Sequence, residues 1–313
     1  MPLRIVSMAP PDSVNVLRTA RNLGERVEQD ELVAEAQAAL GAAELSPMRT
    51  GGQKYVYRAQ LEGVSVVVKI VAIPETAYAT VVLERARREV ELLSTVESAY
   101  VVRVMSEAVE IGDRPEAVCW VEEMLDGSDL GDLRSTFPWD VNQTWPLIAD
   151  VAQGLAACHE LDVVHRDLSP GNVRRRDDGR FALMDPGFAR HLARTALTGL
   201  YQPGTPGYLT PEHIPGGQPT LASDIFGLGI LAFQALTATL PLQPTGDDAA
   251  DYNQLKTGQV PPLRDIRRDV PEDLAAIVDR CLQRQPARRY LDAAELLEDL
   301  PSADARSASL VSS

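Results

Sequence analysis

The sequence has few of the features that mark membrane or secreted proteins. Its 313 residues include no run of about 18 apolar residues, so no transmembrane helix is expected. The first seven residues are too short and interrupted for a signal peptide. Three widely spaced cysteines, Cys119, Cys158 and Cys281, suit buried free thiols better than disulfides or a metal site. We therefore expect a cytoplasmic protein with no membrane partner.

Positive charge is scarce too. The net charge of −15 argues against general nucleic-acid binding and leaves solubility, or the steering of a basic partner, as its role. There are three lysines, Lys54, Lys69 and Lys256, among 30 basic residues. Arginine can replace lysine on a solvated surface, but not where a compact point charge must meet phosphates. The few lysines are therefore candidates for a phosphate site.

The strongest chemical signal is the polar loop H-R-D-L-S-P-G-N at 165–172. It places the carboxylate of Asp167 five residues before the amide of Asn172. A second carboxylate, Asp185, follows an apolar, strand-like run. Phosphoryl transfer uses one carboxylate to orient the attacking hydroxyl, and an Asn and an Asp to hold Mg²⁺ on the phosphates of ATP. The pattern therefore indicates Mg²⁺-dependent phosphoryl transfer.

Further motifs, in the same order, resemble those of the eukaryotic-type (Hanks-type) serine/threonine protein kinases. V-V-V-K at 66–69 resembles the V-A-I-K strand, and residues 85–93 resemble helix C. G-T-P-G-Y-L-T-P-E at 204–212 resembles the segment that ends in A-P-E, and residues 223–229 resemble helix F. The resemblance implies an α+β fold with two lobes, a small β-rich N-lobe and a larger helical C-lobe.

The resemblance also implies roles for individual residues. Asp167 would be the catalytic base, Lys69 would hold phosphates and pair with Glu89, and Thr205 would contact Asp167. Asn172 and Asp185 would bind the metal. Structural roles are implied for Arg166, Asp224 and the pair Glu212–Arg289. ATP would contact Gly51, Gly52, Lys54, Val56, Val67 and Lys69, together with the backbone of Glu123 and Leu125.

The segment between Asp185 and Glu212 resembles an activation loop. Thr195 and Thr198 lie beside basic residues there and are candidate autophosphorylation sites. Arg166 precedes the catalytic Asp, as in kinases whose loop is ordered by a phosphate that pairs with this Arg. The competing interpretation is an ordinary polar loop.

The chain departs from the family pattern at several positions. The phosphate-binding loop has only Gly51 on a family glycine, with Gly52 beside it. Ser169 occupies the usual position of a lysine that steadies the γ-phosphate, and Lys54 is the natural replacement. Pro186 replaces the Phe of D-F-G. Glu122 takes the gatekeeper position, where it could pair with a base, take a proton or point elsewhere; the sequence leaves these open.

We expect residues 1–45 to be a helical extension, 46–125 the N-lobe, 126–300 the C-lobe and 301–313 a disordered tail. The extension packs on the kinase or mediates docking or dimerisation. Two other functions compete with a protein kinase acting on an unidentified protein substrate. The first is a pseudokinase that binds nucleotide or acts as a scaffold, which the altered phosphate loop and Ser169 leave open. The second is a small-molecule kinase, and the A-P-E-like segment argues against it.

Overall fold

The computed structural model describes residues 29–51, 54–73, 79–112, 116–185, 205, 207–213 and 217–302. Its N-terminal part is a five-stranded antiparallel sheet with the order β1-β2-β3-β5-β4. The strands are β1 (Ala43–Gly51), β2 (Lys54–Leu61), β3 (Val64–Ala72), β4 (Val109–Ile111) and β5 (Ala117–Glu123). Helix α2 (Ala79–Ser94) covers the segment predicted as helix C.

The β2–β3 hairpin follows directly from the sequence. Leu61 pairs with Val64, so the loop is the two residues Glu62 and Gly63. Both have positive φ, 52° and 81°, which a type I′ turn requires at its two central positions. The β-branched run of β3 then fills the centre of the sheet, where Val66, Val68 and Ile70 are fully buried.

Helix α1 is described over residues 29–40, where the apolar spacing predicts a helix. Ala36 is fully buried against the sheet cluster, with Val33 and Leu40 packed beside it. The side chain of Gln29 donates to the Tyr57 hydroxyl at 2.8 Å. This helix therefore packs on the N-lobe, and β1 begins at Ala43, inside the segment predicted as an extension.

The apolar composition of residues 101–111 predicts one continuous strand. This prediction is wrong in extent. Only Val109–Ile111 is a strand. Val101 and Val104 form isolated bridges to Leu183 and Glu122 instead. The Val102 amide donates to the Leu183 carbonyl at 2.8 Å, and the Met105 amide donates to the Val121 carbonyl of β5 at 2.8 Å, so this segment is bonded to both lobes.

The C-terminal part is mainly helical. It contains α3 (Leu130–Leu133), α4 (Val141–His159), α5 (Leu221–Thr237), α6 (Asp248–Thr257), α7 (Leu263–Ile266), α8 (Glu272–Cys281) and α9 (Ala293–Asp299). Asp140 and Gln143 form a capping box at the start of α4. In α5 every residue from Ala222 to Leu236 is buried, which matches its apolar composition on all sides.

A three-stranded sheet lies where the two parts meet. Its strands are β6 (Ser128–Asp129), β7 (Val173–Arg175) and β8 (Phe181–Leu183), in the order β6-β7-β8. The loop 165–172 directly precedes β7, and Asp185 closely follows β8. The sheet therefore fixes the spacing of the two predicted catalytic segments. The two-lobed α+β architecture predicted from the sequence is confirmed.

Among the residues that the structure describes, no helix combines the length and the apolar character needed to cross a lipid bilayer.

Candidate active site

A cleft of about 560 Å³ lies between the N-lobe sheet and the loop 165–172. It collects residues from β2, β3, β5 and the catalytic loop. Eight of the predicted site residues line it: Val56, Val67, Lys69, Glu123, Leu125, Asn172, Asp185 and Thr205. Others were not predicted from the sequence: Met48, Val102, Asp129, Asp132 and Met184.

The side chain of Asp224 holds the catalytic loop through two backbone amides of the loop. Its carboxylate accepts from the His165 amide at 2.6 Å and from the Arg166 amide at 2.9 Å. Arg166 has a φ of 66°, a left-handed conformation uncommon for a residue with a side chain. The fully buried carboxylate stabilises this turn because it satisfies two successive backbone donors. His159, which no sequence motif marks, lies 3.1 Å from the same carboxylate.

The carboxylate of Asp167 is oriented from both sides. The Asn172 amide nitrogen donates to the Asp167 backbone oxygen at 2.7 Å and to its Oδ2 at 3.2 Å. The Thr205 hydroxyl donates to Oδ1 at 3.3 Å. Because these bonds use the nitrogen of Asn172, its amide oxygen is the atom left to bind a cation. Asp167 is 6% exposed, so it is shielded from bulk solvent.

Lys69 forms ion pairs with two carboxylates, Glu122 and Asp185. It is 4% exposed. Burial alone would lower the pKa of Lys69, but the two carboxylates more than offset this, and its pKa lies above the ordinary value. Lys69 therefore stays cationic at neutral pH. The side chain of Glu89 lies outside what the structure describes, so its pairing with Lys69 stays a prediction.

Glu122 is buried at the back of the cleft. Its Oε1 accepts from the Trp120 indole nitrogen at 2.8 Å, and its Oε2 accepts from Lys69. The sequence left three alternatives open for Glu122, and in the structure it pairs with a base. That base is Lys69, the lysine expected to hold the phosphates. The strand register would have revealed this, because Lys69 pairs with Trp120 and Val67 with Glu122.

Arg289 and Glu212 form a bidentate ion pair in which the Arg289 side chain is fully buried and the Glu212 side chain is 12% exposed. The two guanidinium nitrogens donate to the carboxylate oxygens at 3.0 and 2.9 Å, and Ser223 adds a third bond at 3.0 Å. Burial would raise the pKa of Glu212, but the bonds from Arg289 and Ser223 hold it below the usual range. Arg289 also donates to three backbone carbonyls, those of Ala222, Gln283 and Arg284. The pair fixes the A-P-E-like segment to α5.

His213, which belongs to no recognised sequence motif, connects that segment to the catalytic loop. Its Nδ1 accepts from the Thr210 amide at 3.2 Å, so Nε2 carries the proton and donates to the Arg166 carbonyl at 3.0 Å. Burial lowers the pKa of His213, which favours the neutral ring that this arrangement needs. The loop of Asp167 is therefore supported by both Asp224 and His213.

Some predicted residues fall outside the described part of the chain. Gly51 ends β1, while Gly52, Thr195 and Thr198 are not described, and neither is the side chain of Lys54. Residues 303–313 of the predicted tail and residues 1–28 of the predicted extension also lie outside it. The roles proposed for these residues remain predictions.

The three cysteines are free and buried. Burial raises the pKa of Cys119 to about 11 and that of Cys158 and Cys281 to about 12. They are therefore thiols at neutral pH, without the thiolate character of a nucleophile or metal ligand.

Comparison with known proteins agrees with this geometry. The protein kinase domain family matches residues 48–299. The serine/threonine-protein kinase pkn2 of Myxococcus xanthus is 31% identical over 83% of this chain and 32% of its own length. PknK of Mycobacterium tuberculosis is 31% identical over 70% of this chain and 20% of its own. PknB of Mycolicibacterium smegmatis is 33% identical over 58% of this chain and 29% of its own.

The chain thus spans a third or less of the length of these three relatives. The match to the kinase domain nevertheless covers most of the chain and includes both lobes. It begins in β1 and ends in α9, so it contains every described residue of the cleft. The chain belongs to the protein kinase family, in its Hanks-type serine/threonine branch.

Proposed function

We propose that this chain is an ATP- and Mg²⁺-dependent serine/threonine protein kinase. The observation that carries the proposal is the double support of the Asp167 carboxylate by Asn172 and Thr205, which line the same cleft as Lys69 and Asp185. A carboxylate fixed in this way can accept the proton of a substrate hydroxyl as the hydroxyl attacks the γ-phosphate. Lys69, buried and cationic, supplies charge to the phosphates.

The donor set suits Mg²⁺, which prefers oxygen ligands from a few carboxylates and the phosphates themselves. The amide oxygen of Asn172 and the carboxylate of Asp185 would hold the ion, and both residues line the cleft. The bound ion would neutralise charge on the transferred phosphoryl group. The remaining catalytic work falls to the chain's own residues, which orient the hydroxyl and remove its proton.

A protein substrate fits better than a small molecule. The ion pair of Glu212 and Arg289 and the contact of His213 with Arg166 tie the A-P-E-like segment to the catalytic loop. In the family this segment forms the platform on which a protein substrate lies. A pseudokinase is less favoured because Lys69, Asp167, Asn172 and Asp185 are all retained.

We further propose a cytoplasmic protein that meets its partner or a second copy through residues 1–45. Ala36 of helix α1 packs against the chain's own N-lobe sheet, so this apolar face of the helix is already covered. The exposed side of α1 and residues 1–28 are the parts of this segment left for docking. Deleting residues 1–28 is expected to leave kinase activity in place and to remove any self-association seen by light scattering.

Autophosphorylation is expected on Thr195 or Thr198. Incubation with Mg²⁺ and labelled ATP, followed by mapping of the modified residues, tests this. Label on serine or threonine supports the protein kinase, and label on these two residues supports loop phosphorylation. Transfer to an aminoglycoside or choline in preference to protein would favour the small-molecule kinase instead. The double variant Thr195→Ala/Thr198→Ala is the matched control, since it retains the cleft and removes only the acceptors.

Lys54 is expected to supply the γ-phosphate charge that Ser169 lacks. Ser169 is buried and lines the cleft, so a lysine placed there would meet the same phosphates. The variant Lys54→Met should slow phosphoryl transfer by about 30- to 150-fold, an increase of about 2–3 kcal/mol in the barrier. Single-turnover kinetics of Lys54→Met and Lys54→Met/Ser169→Lys measure it. Unchanged turnover in Lys54→Met would mean that Lys54 is a surface residue.

A further inference from the structure

Glu122 lies next to Lys69 because of the strand register. In the antiparallel β3–β5 pair Lys69 is opposite Trp120, and Val67 is opposite Glu122. Residues two apart on a strand share a face, so Lys69 and Glu122 are diagonal neighbours on one face of the sheet. Two long side chains can bridge such a diagonal. The ion pair therefore joins two hydrogen-bonded strands and involves no helix.

The Glu122 carboxylate is itself fixed. Trp120, on the same face and the same strand, donates to one oxygen at 2.8 Å and leaves the other for Lys69. Glu122 and Lys69 are each 4% exposed. A buried carboxylate held by an indole and an ammonium group has little freedom to turn away, and it offers Lys69 a fixed counter-charge.

Lys69 contacts Asp185 while it is bound to Glu122. Asp185 is the proposed metal ligand, so the ammonium group lies at the end of the cleft where the phosphates are expected. An ammonium group has three N–H donors, and one remains beyond the two carboxylates for a phosphate oxygen. Glu122 thus holds Lys69 toward the reaction centre.

We infer that Glu122 is a positioning residue that holds Lys69 for the phosphates of ATP, a role that the family resemblance gives to Glu89 on α2. This inference rests on the proposed kinase function. Because Glu122 belongs to the sheet, Lys69 keeps its place whether or not α2 moves. The ATP site would therefore stay assembled without a partner or phosphate that positions α2.

The test compares Glu122→Gln and Glu122→Met with the wild-type protein in binding titrations of Mg²⁺-free ATP and of adenosine. Adenosine fills the base and ribose site but has no phosphates. Both substitutions should weaken ATP binding by about 10- to 100-fold, the cost typical of a misplaced catalytic side chain, and leave adenosine binding within about threefold. Glu110→Gln is the matched control, since Glu110 lies on β4 of the same sheet in a more exposed ion pair with Arg87.

A double-mutant cycle shows whether Glu122 acts through Lys69. In a Lys69→Met background, Glu122→Met should weaken ATP binding no further, so the two effects are not additive. Glu89→Gln in the otherwise unchanged protein should weaken ATP binding less than Glu122→Gln does. Glu122→Gln retains an oxygen that can accept the Trp120 hydrogen bond, so this variant should stay folded. The thermal melting temperature of each variant checks this.

Other results would overturn the inference. An equal loss of affinity for ATP and for adenosine in the Glu122 variants would mean that Glu122 shapes the pocket for the base. Tighter ATP binding or faster turnover in Glu122→Gln would mean that Glu122 withdraws Lys69 from the phosphates as an inhibitory contact. Binding is measured separately from transfer, so a protein that binds ATP through Glu122 and Lys69 but transfers no phosphate would refute the kinase proposal alone.

Discussion

Asp167→Asn is expected to slow phosphoryl transfer by about 10²- to 10⁴-fold, the usual range for loss of a positioned general base. The substitution keeps the size of the side chain and leaves an amide oxygen to accept from Asn172 or Thr205, so the loop should retain its shape. ATP affinity should stay within about threefold, because Asp167 acts on the substrate hydroxyl rather than on the phosphates. Single-turnover kinetics and ATP titrations on the same preparation separate the effect on phosphoryl transfer from the effect on ATP affinity.

Asp162→Asn is the matched control for this prediction. Asp162 is exposed in the turn that precedes the catalytic loop. Its substitution removes a carboxylate of the same type from a nearby position and should leave both transfer and binding unchanged. Equal transfer by Asp167→Asn and the wild-type protein would remove Asp167 from the mechanism and point to a contaminating kinase.

Arg289→Met is expected to lower the free energy of unfolding by about 3–5 kcal/mol, the cost of breaking a buried ion pair from one side. Arg289 is 2% exposed, and its guanidinium lies 4.7 Å from the centre of the Phe226 ring. Methionine keeps much of this packing but leaves the Glu212 carboxylate without its counter-charge and three carbonyls without the donor that Arg289 supplies. The melting temperature should fall by roughly 6–20 °C for a lobe of this size.

Two further variants sharpen this test. Arg288→Met removes the same charge from the exposed neighbouring residue and should change the melting temperature little. The double variant Arg289→Met/Glu212→Met should recover part of the lost stability, because no uncompensated charge is then buried. A double variant less stable than Arg289→Met alone would mean that Glu212 stabilises the fold by contacts other than this pair.

The Glu212–Arg289 pair also has a pH dependence. Because the pKa of Glu212 is lower in the folded protein than its usual value, its contribution to stability is present above the unfolded pKa. That contribution is lost as the pH falls through the folded pKa. The wild-type protein should therefore lose more stability on acidification than the double variant, which urea unfolding at several pH values measures.

Much of the site could be predicted from the sequence because kinase chemistry is concentrated in short motifs. The spacing in 165–172 places Asp167 and Asn172 on one loop, and the structure brings their side chains within 3.2 Å. The more distant pair Glu212–Arg289 came from the family resemblance alone, and the structure joins those residues too. Val66 to Ile70 read as a strand because β-branched residues suit a buried sheet.

Other features depended on contacts between segments that periodicity does not encode. The segment 101–108 has the apolar composition of a strand, but its backbone bonds go to β8 and β5 as single bridges. The partner of Glu122 follows from the β3–β5 register, which no single strand determines. No sequence motif marks His159 or His213, because their partners are a distant carboxylate and a backbone carbonyl.

The most direct test of the central claim is the intact mass of the wild-type protein after incubation with ATP, in parallel samples containing Mg²⁺ or a chelator. If this cleft transfers phosphate to protein hydroxyls, the Mg²⁺ sample should gain mass in phosphate increments, and the chelated sample should gain none. A protein that binds ATP with Mg²⁺ but gains no phosphate, either on itself or on an added protein substrate, would contradict the account and identify a pseudokinase.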